Sequence, residues 1–534
     1  MQQIADSPLC KLISRGVQKT NFLTGDNIMS FDRETALSAN NDIFSAPNDT
    51  RKDKIRGLGG NDVINGMGGD DEIWGDGEFL NLFDALVVSG HDKLSGGKGN
   101  DSLHGGAGND QLLGDEGNDT LFGDDGDDRL NGGTGSDLMK GGFGNDVYVV
   151  DSAGDRVEDV LLGGTDTVES FINYDLRTAA FIENLTLVGT SALNGIGNND
   201  NNQINGNSAN NTLSGLDGND RLSGHDGNDV LNGGNGNDSL FGGNGDDVLN
   251  GGAGQDTLKG EAGNDTFIID SSSGTDVIDG GTGTDQVNSS VSFSLATTLS
   301  VENLLLTGTS AVNGTGNGFA NTITGNSASN TLNGGDGNDV LNGGSGNDVI
   351  NGDAGDDRLF EGDGNDVLNG GSGNDVLDGG AGRDRYNGGT GNDHLTFDAA
   401  DLASGAVAGQ YDGGSGVDQL NFSSSGSTVF DMRAIDDSLL KNIEILNLQS
   451  NFTARNLVVT NNHKVFLTFN DVNAINDQHS LRIDGGVGDQ VTLSDFGWTE
   501  GAQQTIESKV YDTYANGQAV LLVGVDVDVQ GIFS

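Results

Sequence analysis

A nine-residue period runs without interruption through residues 96–149 and constrains the fold more than any other feature of the chain. Six units follow one another: GGKGNDSLH, GGAGNDQLL, GDEGNDTLF, GDDGDDRLN, GGTGSDLMK and GGFGNDVYV. Every unit has Gly at its first and fourth places and Asp at its sixth, and all but one have an apolar eighth residue. A disordered acidic linker would not keep apolar residues in register over so many units. The pattern GGxGxDxUx therefore predicts a regular repeat structure.

The residue types at fixed places indicate what each unit does. Glycine accepts the positive φ values of tight turns, and Asn at the fifth place tolerates a left-handed conformation. The aspartate supplies a hard anionic oxygen, which is the ligand type that Ca²⁺ selects. One apolar residue per unit predicts a thin, ladder-like core. We therefore expect a metal-stabilised solenoid rather than a conventional globular domain.

The unit recurs in three arrays, whose sixth-place aspartates are the candidate metal ligands. In the first array these are Asp62, Asp71, Asp92, Asp101, Asp110, Asp119, Asp128, Asp137 and Asp146. In the second they are Asp220, Asp229, Asp238, Asp247, Asp256 and Asp265. In the third they are Asp339, Asp348, Asp357, Asp366, Asp375, Asp384 and Asp393.

These tandem units resemble the hemolysin-type calcium-binding nonapeptides of RTX (repeats-in-toxin) proteins. The resemblance implies an all-β fold, a parallel β-roll or β-solenoid in which two nonapeptides make one turn, with a β-rich C-terminal cap. It also implies that multiple Ca²⁺ ions lie between successive loops, held by loop carbonyls and aspartate carboxylates. Asp101 and Asp119 would then lie along one edge of the roll, with Asp110 and Asp128 along the other.

Seven segments follow from the arrays and from a duplication. An N-terminal irregular segment (1–56) precedes array 1 (57–149, with an apolar insert at 78–88), a linker module (150–196), array 2 (197–268), a second linker (269–315), array 3 (316–397) and a β-rich C-terminal region (398–534). The linkers match each other 119 residues apart and are predicted to be solenoid coils without metal-binding turns. The insert is interpreted as a loop or short helix folded over the roll, or as a partner-binding or membrane-touching protrusion.

Four units that follow the linkers carry Asn instead of Asp at the sixth place: Asn202, Asn211, Asn321 and Asn330. Asparagine keeps an oxygen but loses the charge, so weak metal binding or none is expected there. Glu183 and Glu302 recur at matching places in the two linkers and are expected to be structural residues that face solvent.

The formal net charge of -56 favours cations as partners and argues against nucleic acid. No segment is apolar enough for a transmembrane span, and the single cysteine, Cys10, cannot form an internal disulfide. The N-terminus does not have the apolar core of a Sec signal peptide. The RTX resemblance implies export by type I secretion machinery, with an uncleaved signal at the extreme C-terminus, and an extracellular or cell-surface location.

No catalytic signature accompanies the repeats: HExxH, GxSxG and CxxC are absent, and the six histidines are dispersed. We therefore expect a non-catalytic secreted calcium-binding protein with a surface-layer, matrix or adhesion role. The alternative is a calcium-dependent module of an RTX toxin or exoenzyme, such as a protease, lipase or polysaccharide-modifying enzyme, whose active domain is missing or separately encoded. Cell-surface glycans and self-association are further candidate interactions.

Overall fold

The computed structural model describes residues 33–37, 43–45, 53–56, 63–66, 71–75, 90–161, 163–397, 401 and 411–422, and within 429–533 the strands given below together with Asn442. Asp62, the segment before residue 33 and the insert 78–88 lie outside the described residues. The predicted fold class is confirmed, because the described chain is a stack of short parallel strands. Its only described helices are two single 3₁₀ turns.

The strands up to the end of the first array are β1 Arg33–Ala36, β2 Ile43–Ser45, β3 Asp53–Arg56, β4 Val63–Asn65, β5 Glu72–Trp74, β6 Lys93–Lys98, β7 Ser102–Ala107, β8 Gln111–Glu116, β9 Thr120–Asp125, β10 Arg129–Asn131, β11 Leu138–Phe143 and β12 Val147–Val150. The six-residue strands of the first array, such as β7 and β8, take up the last residues of one unit and the first of the next. Three strands, β1 to β3, lie in the segment predicted to be irregular (1–56), so that prediction is wrong for these residues.

The first linker and the second array continue the stack. Their elements are β13 Arg156–Glu158, β14 Thr167–Ser170, β15 Tyr174–Asp175, a 3₁₀ helix at Leu176–Thr178, β16 Asn184–Leu187, β17 Asn194–Ile196, β18 Gln203–Asn205, β19 Thr212–Asp217, β20 Arg221–Asp226, β21 Val230–Asn235, β22 Ser239–Asn244, β23 Val248–Ala253, β24 Thr257–Ala262 and β25 Thr266–Ile269.

The second linker and the third array repeat that order. Their elements are β26 Val277–Thr282, β27 Gln286–Ser289, β28 Phe293–Ser294, a 3₁₀ helix at Leu295–Thr297, β29 Asn303–Leu306, β30 Gly314–Thr315, β31 Thr322–Thr324, β32 Thr331–Asp336, β33 Val340–Ser345, β34 Val349–Ala354, β35 Arg358–Gly364, β36 Val367–Ser372, β37 Val376–Gly382, β38 Arg385–Thr390 and β39 His394–Phe397.

The C-terminal strands are β40 Tyr411–Ser415, β41 Gln419–Phe422, β42 Val429–Phe430, β43 Leu440–Lys441, β44 Ile445–Leu448, β45 Thr453–Ala454, β46 Asn456–Val458, β47 Lys464–Leu467, β48 Ser480–Asp484, β49 Gln490–Glu500, β50 Gln504–Ile506, β51 Lys509–Asn516, β52 Ala519–Gly524 and β53 Asp528–Phe533.

Each strand in the arrays pairs in parallel with the strand two places on, which confirms that two nonapeptides make one turn. Leu103 of β7 lies opposite Leu121 of β9, for example, and Leu231 of β21 lies opposite Leu249 of β23. Strands with odd and even numbers therefore form two sheets on opposite faces of the roll. The predicted continuation of the roll through the linkers is also seen, because β12, β14, β16 and β18 pair in succession.

The two linkers interrupt opposite faces of the roll. At the first linker the sheet that ends with β13 stops and a new one starts at β15, while the sheet containing β14 and β16 is continuous. At the second linker the sheet containing β27 and β29 is continuous, while another stops at β26 and a new one starts at β28. β27 is the counterpart of β14 in the duplication and comes 13 strands after it. Because 13 is odd, the same sequence arrives on the other face.

The core is a column of eighth-place side chains, such as Leu130, Leu231 and Leu368, all fully buried. Each buried leucine contributes about 1.5–3 kcal/mol of hydrophobic stabilisation. Seventh- and ninth-place residues on either side are more exposed, as in the alternating burial of β7 and β21. The interior is therefore one side chain deep from each face, as expected for a solenoid.

The left-handed positions are the second and fourth places of the unit, so the expectation for the fifth place is wrong. Non-glycine residues with positive φ in the arrays, such as Asp115, His225 and Glu261, stand at the second place. The fifth-place Asn instead uses its side chain between turns: Asn219 Oδ1 accepts a 2.7 Å hydrogen bond from the Asn237 amide one turn later. Asparagine is favoured there by this exposed side-chain ladder.

The predicted β-rich C-terminal region is confirmed for its described strands. A parallel sheet of the roll continues through β44, β47, β49 and β53. The antiparallel pairs among the described strands occur here, joining β51 to β49, β50 and β52. The strand direction thus changes where the repeats end.

We expect Gly236→Ala to destabilise the second array by about 1–3 kcal/mol, because a non-glycine residue would be strained there. Gly236 has φ of 138°, and an added Cβ would overlap the carbonyl group of Gly218 one turn away. Urea unfolding at a fixed Ca²⁺ concentration measures the change. Gly318→Ala is the matched control, since a Cβ there meets nothing within 4 Å. Equal stability of the two variants would contradict this account of the turn.

Candidate metal centres along the edges of the roll

Each described sixth-place aspartate is linked to the equivalent residue of the neighbouring turn by a hydrogen bond. The Oδ1 atom of Asp128 accepts the amide N–H of Asp110 at 2.8 Å, and Asp146 Oδ1 accepts that of Asp128 at 2.8 Å. Asp101 and Asp119 follow one another in the same way on the other edge. The predicted arrangement of these four aspartates on two edges is therefore seen.

These bonds join the acidic residues into long ladders, each read from one turn to the next. On one edge of array 1 the ladder is Asp71, Asp101, Asp119, Asp137, Asp155. On the other it is Asp92, Asp110, Asp128, Asp146, Asp166, Glu183. Array 2 has Asn202, Asp220, Asp238, Asp256, Asp276, and Asn211, Asp229, Asp247, Asp265, Asp285, Glu302. Array 3 has Asn321, Asp339, Asp357, Asp375, Asp393, Asp418, and Asn330, Asp348, Asp366, Asp384, Asp401.

The second carboxylate oxygen of most ladder residues is buried and has no hydrogen-bond partner. This is true of the Oδ2 atoms of Asp128, Asp137, Asp146, Asp220, Asp229, Asp238, Asp247, Asp256, Asp265, Asp285, Asp339, Asp357, Asp375 and Asp393. A buried carboxylate oxygen is strongly disfavoured unless a donor or cation faces it. A cation beside each Oδ2 atom would supply the missing partner.

In most units, the first-place glycine leaves the space that such a cation needs. A Cβ on Gly233 would overlap Asp238 Oδ2 and would lie 2.6 Å from the carbonyl oxygen of Gly251 in the next turn. A Cβ on Gly123 would overlap Asp128 Oδ2 and would lie 2.7 Å from the carbonyl oxygen of Gly141. Carboxylate and carbonyl oxygens are the ligands of Ca²⁺. The residues present thus fit calcium. Glycine is required at the first place because a Cβ would fill the space beside the carboxylate, and not because the backbone there is left-handed.

Burial raises the pKa values of these carboxyl groups when no cation is present. The pKa of Asp128 is raised to about 8, first by burial and then by the like charges of Asp110 and Asp146. The pKa of Asp247 is raised to about 7 by burial and by Asp229 and Asp265. Hydrogen bonds from the backbone oppose these shifts only in part. Cations would remove the repulsion between successive turns.

The described ladder positions include every predicted ligand except Asp62, and also six aspartates that were not predicted. The additional members are Asp155, Asp166, Asp276, Asp285, Asp401 and Asp418. The first four lie in the linkers, so the prediction that the linkers lack metal-binding turns is wrong where the ladders enter them. Asp285 and Asp418 stand in GGTGTDQVN and GGSGVDQLN, which match the repeat in full. Asp401 has no repeat around it, and only its 2.8 Å bond to the Asp384 amide identifies it. The role of each individual aspartate as a ligand stays a prediction.

Glu183 and Glu302 end two ladders, so the expectation that they face solvent is wrong. Each is half-buried, and an Oε2 atom accepts the amide N–H of Asp166 or Asp285 at 2.9 Å. Each glutamate thus takes the place of the next ladder aspartate, 17 residues after the last one instead of 18.

The Asn units satisfy their own polar atoms. Asn202 Oδ1 accepts the Asn198 amide at 2.7 Å, and its Nδ2 donates to the carbonyl oxygen of Glu183 at 3.1 Å. Asn211, Asn321 and Asn330 make equivalent bonds with an Asn four residues earlier. The amide group thus replaces the cation, which supports the prediction of weak binding or none.

Two tyrosines place a hydroxyl group where other units leave space for a cation. The Gly141 amide donates to Tyr148 Oη at 2.8 Å, and that hydroxyl donates to Asp159 Oδ2 at 2.7 Å. A Cβ on Gly141 would overlap both Tyr148 Oη and Asp146 Oδ2. Tyr386 enters the space at Gly379 in the same way, with a 3.1 Å bond from the Gly379 amide.

The raised carboxyl pKa values predict opposite effects of pH on the metal-free and calcium-loaded chain. A carboxyl group whose pKa is raised on folding favours the fold at low pH, and this stability is lost as pH rises from about 4 through its folded pKa of about 6 to 8. With chelator, circular dichroism should show more β-structure at pH 5 than at pH 8. With Ca²⁺ present, protons compete with the ion for the carboxylates. The Ca²⁺ concentration at the midpoint of folding should therefore be higher at pH 5 than at pH 8. A midpoint that does not depend on pH would contradict the ladders as ligands.

Tyr148→Phe should allow the chain to bind one additional Ca²⁺ ion, because the hydroxyl that enters the space at Gly141 is removed. Calcium stoichiometry at saturation, measured by equilibrium dialysis, gives the result. Tyr174→Phe is the control, since that hydroxyl contacts Thr178. Unchanged stoichiometry in Tyr148→Phe would show that the hydroxyl does not exclude an ion.

Comparison with known proteins identifies the repeat. The family model for the RTX calcium-binding nonapeptide repeat (4 copies) matches residues 49–78, 88–157, 196–289, 315–359 and 362–395, just over half of the chain. A search of curated proteins found no significant match. No helix in the described ranges has the length and apolarity to cross a membrane. RTX repeats bind Ca²⁺ at multiple sites, and the buried aspartate ladders provide the oxygens for them. The chain belongs to the RTX calcium-binding nonapeptide-repeat family.

Proposed function

We propose that this chain is a secreted calcium-binding scaffold that folds on Ca²⁺ outside the cell and has a non-catalytic role in a surface layer, matrix or adhesion. The observation that carries the proposal is the extent of the ladders. Buried aspartates with an Oδ2 atom that lacks a hydrogen-bond partner recur from Asp128 to Asp393. Calcium-binding units thus form most of the described chain.

The energetics favour folding that depends on calcium concentration. The net charge of -56 and the stacked carboxylates oppose the compact state without cations, and a core one side chain deep cannot offset the loss of chain entropy. Ion binding then becomes folding free energy. Extracellular calcium modules typically have dissociation constants of about 10⁻⁴–10⁻³ M, far above the resting Ca²⁺ level of a cytosol. The chain would stay unfolded and export-competent inside the cell.

The RTX family is typically secreted, and type I secretion machinery is the export route that we propose for this chain. Some hydrolases use a pair of neighbouring carboxylates in catalysis. Such pairs do not identify an active site here, because every turn of the arrays contains them. The alternative function, a calcium-dependent module of an RTX toxin or exoenzyme, would require a partner domain or a separately encoded enzyme.

Glycan binding along the roll gains little support from the aromatic residues. The most extended aromatic cluster in the described part stacks Trp74, His104 and Phe122, with ring centroids 4.0 and 4.4 Å apart and interplanar angles of 3° and 10°. Both faces of His104 and one face each of Trp74 and Phe122 are therefore covered by a neighbouring ring. A sugar platform needs open aromatic faces, and this stacking reduces them.

Calcium should convert the full-length chain from a largely unfolded state to a β-rich rod. Far-ultraviolet circular dichroism and sedimentation velocity, followed from chelator to millimolar Ca²⁺, measure the transition, and Mg²⁺ at equal concentration is the control. Identical spectra and sedimentation in chelator and Ca²⁺ would contradict the proposal.

The location and role are tested in the native cell. Fractionation into medium, surface and cytosol should place the protein outside the cell, and chelator should release surface-bound protein into the medium. Recovery from the cytosol alone would contradict secretion. Co-release of an enzyme in a stoichiometric complex would favour the alternative function.

A further inference from the structure

Glu361 replaces a glycine that the repeat otherwise keeps. It is the first residue of EGDGNDVLN (361–369), whereas the other units of the third array begin with Gly. In those units, the first-place glycine keeps open the space beside the ladder aspartate. A long acidic side chain at this place therefore changes the chemistry of one position in the ladder.

The Glu361 side chain extends back into the space beside Gly343, one turn earlier. A Cβ on Gly343 would overlap Glu361 Oε2 and would lie 2.7 Å from Asp348 Oδ2. At the neighbouring Gly334 the corresponding atom is a backbone carbonyl oxygen, that of Gly352, at 2.6 Å. A carboxylate thus stands where the ordinary units offer a neutral carbonyl group.

Three carboxylates meet at this point. Asp348, Glu361 and Asp366 have side-chain oxygens within 4.8 Å of one another, and the three residues are 2%, 6% and 1% exposed. Neither Oε1 nor Oε2 of Glu361 has a hydrogen-bond partner. None of the ion pairs formed within the described ranges involves these three residues.

Such a group of buried charges is strongly disfavoured without a cation. Affinity for Ca²⁺ in protein sites depends on the number of charged ligands and on the rigidity of the site. The site is rigid, because β33, β35 and β37 pair in register around it. A third carboxylate therefore raises the affinity of this position above that of its neighbours.

We propose that Asp348, Glu361 and Asp366 form a three-carboxylate cation site that binds Ca²⁺ more tightly than the ordinary positions of the ladders. The inference rests on the proposed function, in which the arrays bind Ca²⁺, and adds an order in which the sites fill. As Ca²⁺ rises, this site fills first and fixes β33, β35 and β37, from which the third array folds outward.

Competition titrations of the full-length chain against a chelator of known Ca²⁺ affinity test the proposal. Glu361→Gln and Glu361→Gly should each remove one ion from the tightest class and weaken its binding at least ~10-fold. Glu261→Gln is the matched control, because Glu261 is an exposed acidic residue at the second place of a unit, and it should bind like the unsubstituted chain. Circular dichroism at saturating Ca²⁺ checks that each variant folds.

An unchanged tightest class in both Glu361 variants would overturn the inference, and so would one additional bound ion in Glu361→Gly, since Glu361 would then exclude a cation. Glu361→Gly restores the glycine of the repeat and carries the test if Glu361→Gln does not fold. Failure of the unsubstituted chain to bind Ca²⁺ would count against the proposed function, whereas normal total binding without a distinct tight ion would count only against this site.

Discussion

The structure depends on the neutralisation of buried carboxylates between successive turns. Each turn places an aspartate on each edge, and the amide hydrogen bonds from the preceding turn satisfy only one oxygen of each carboxylate. The remaining oxygen, such as Asp238 Oδ2, faces a space bounded by a glycine Cα and a glycine carbonyl oxygen. Cations in these spaces would join adjacent turns, and without them the same residues repel one another. We therefore expect folding and ion binding to be coupled.

Local variation of the unit adjusts this interaction without disturbing the roll. Asn202 replaces the cation with its own amide group, Tyr148 replaces it with a hydroxyl, and Glu361 adds a carboxylate. All three keep the strand register of their neighbours. The second and third arrays therefore begin with units that need no ion, and the arrays contain positions that differ in their expected affinity. The duplicated linkers add a further variation, because they fall on opposite faces of the roll.

Much of the fold and most of the ladder residues could be predicted because the repeat is local. The period of nine places Leu231 in the core and Asp229 on an edge, and one unit is enough to assign both roles. The fifth-place asparagine could not be assigned in this way, since its partner is an amide one turn away. Asp401 has no repeat around it, so only the chain path shows that it joins a ladder.

Residue types at fixed spacing determined a repeat structure with a thin core and with oxygen ligands suited to Ca²⁺. The parallel roll and the two edges of aspartates were implied by the resemblance of these units to RTX repeats. The tertiary structure decided which atoms meet across turns. It put the Tyr148 hydroxyl beside Gly141 and joined Glu361 to Asp348 and Asp366. It also placed Glu183 at the end of a ladder instead of in solvent. Which side chains contact one another between turns depends on how the turns stack, and the sequence pattern of a single unit does not show this.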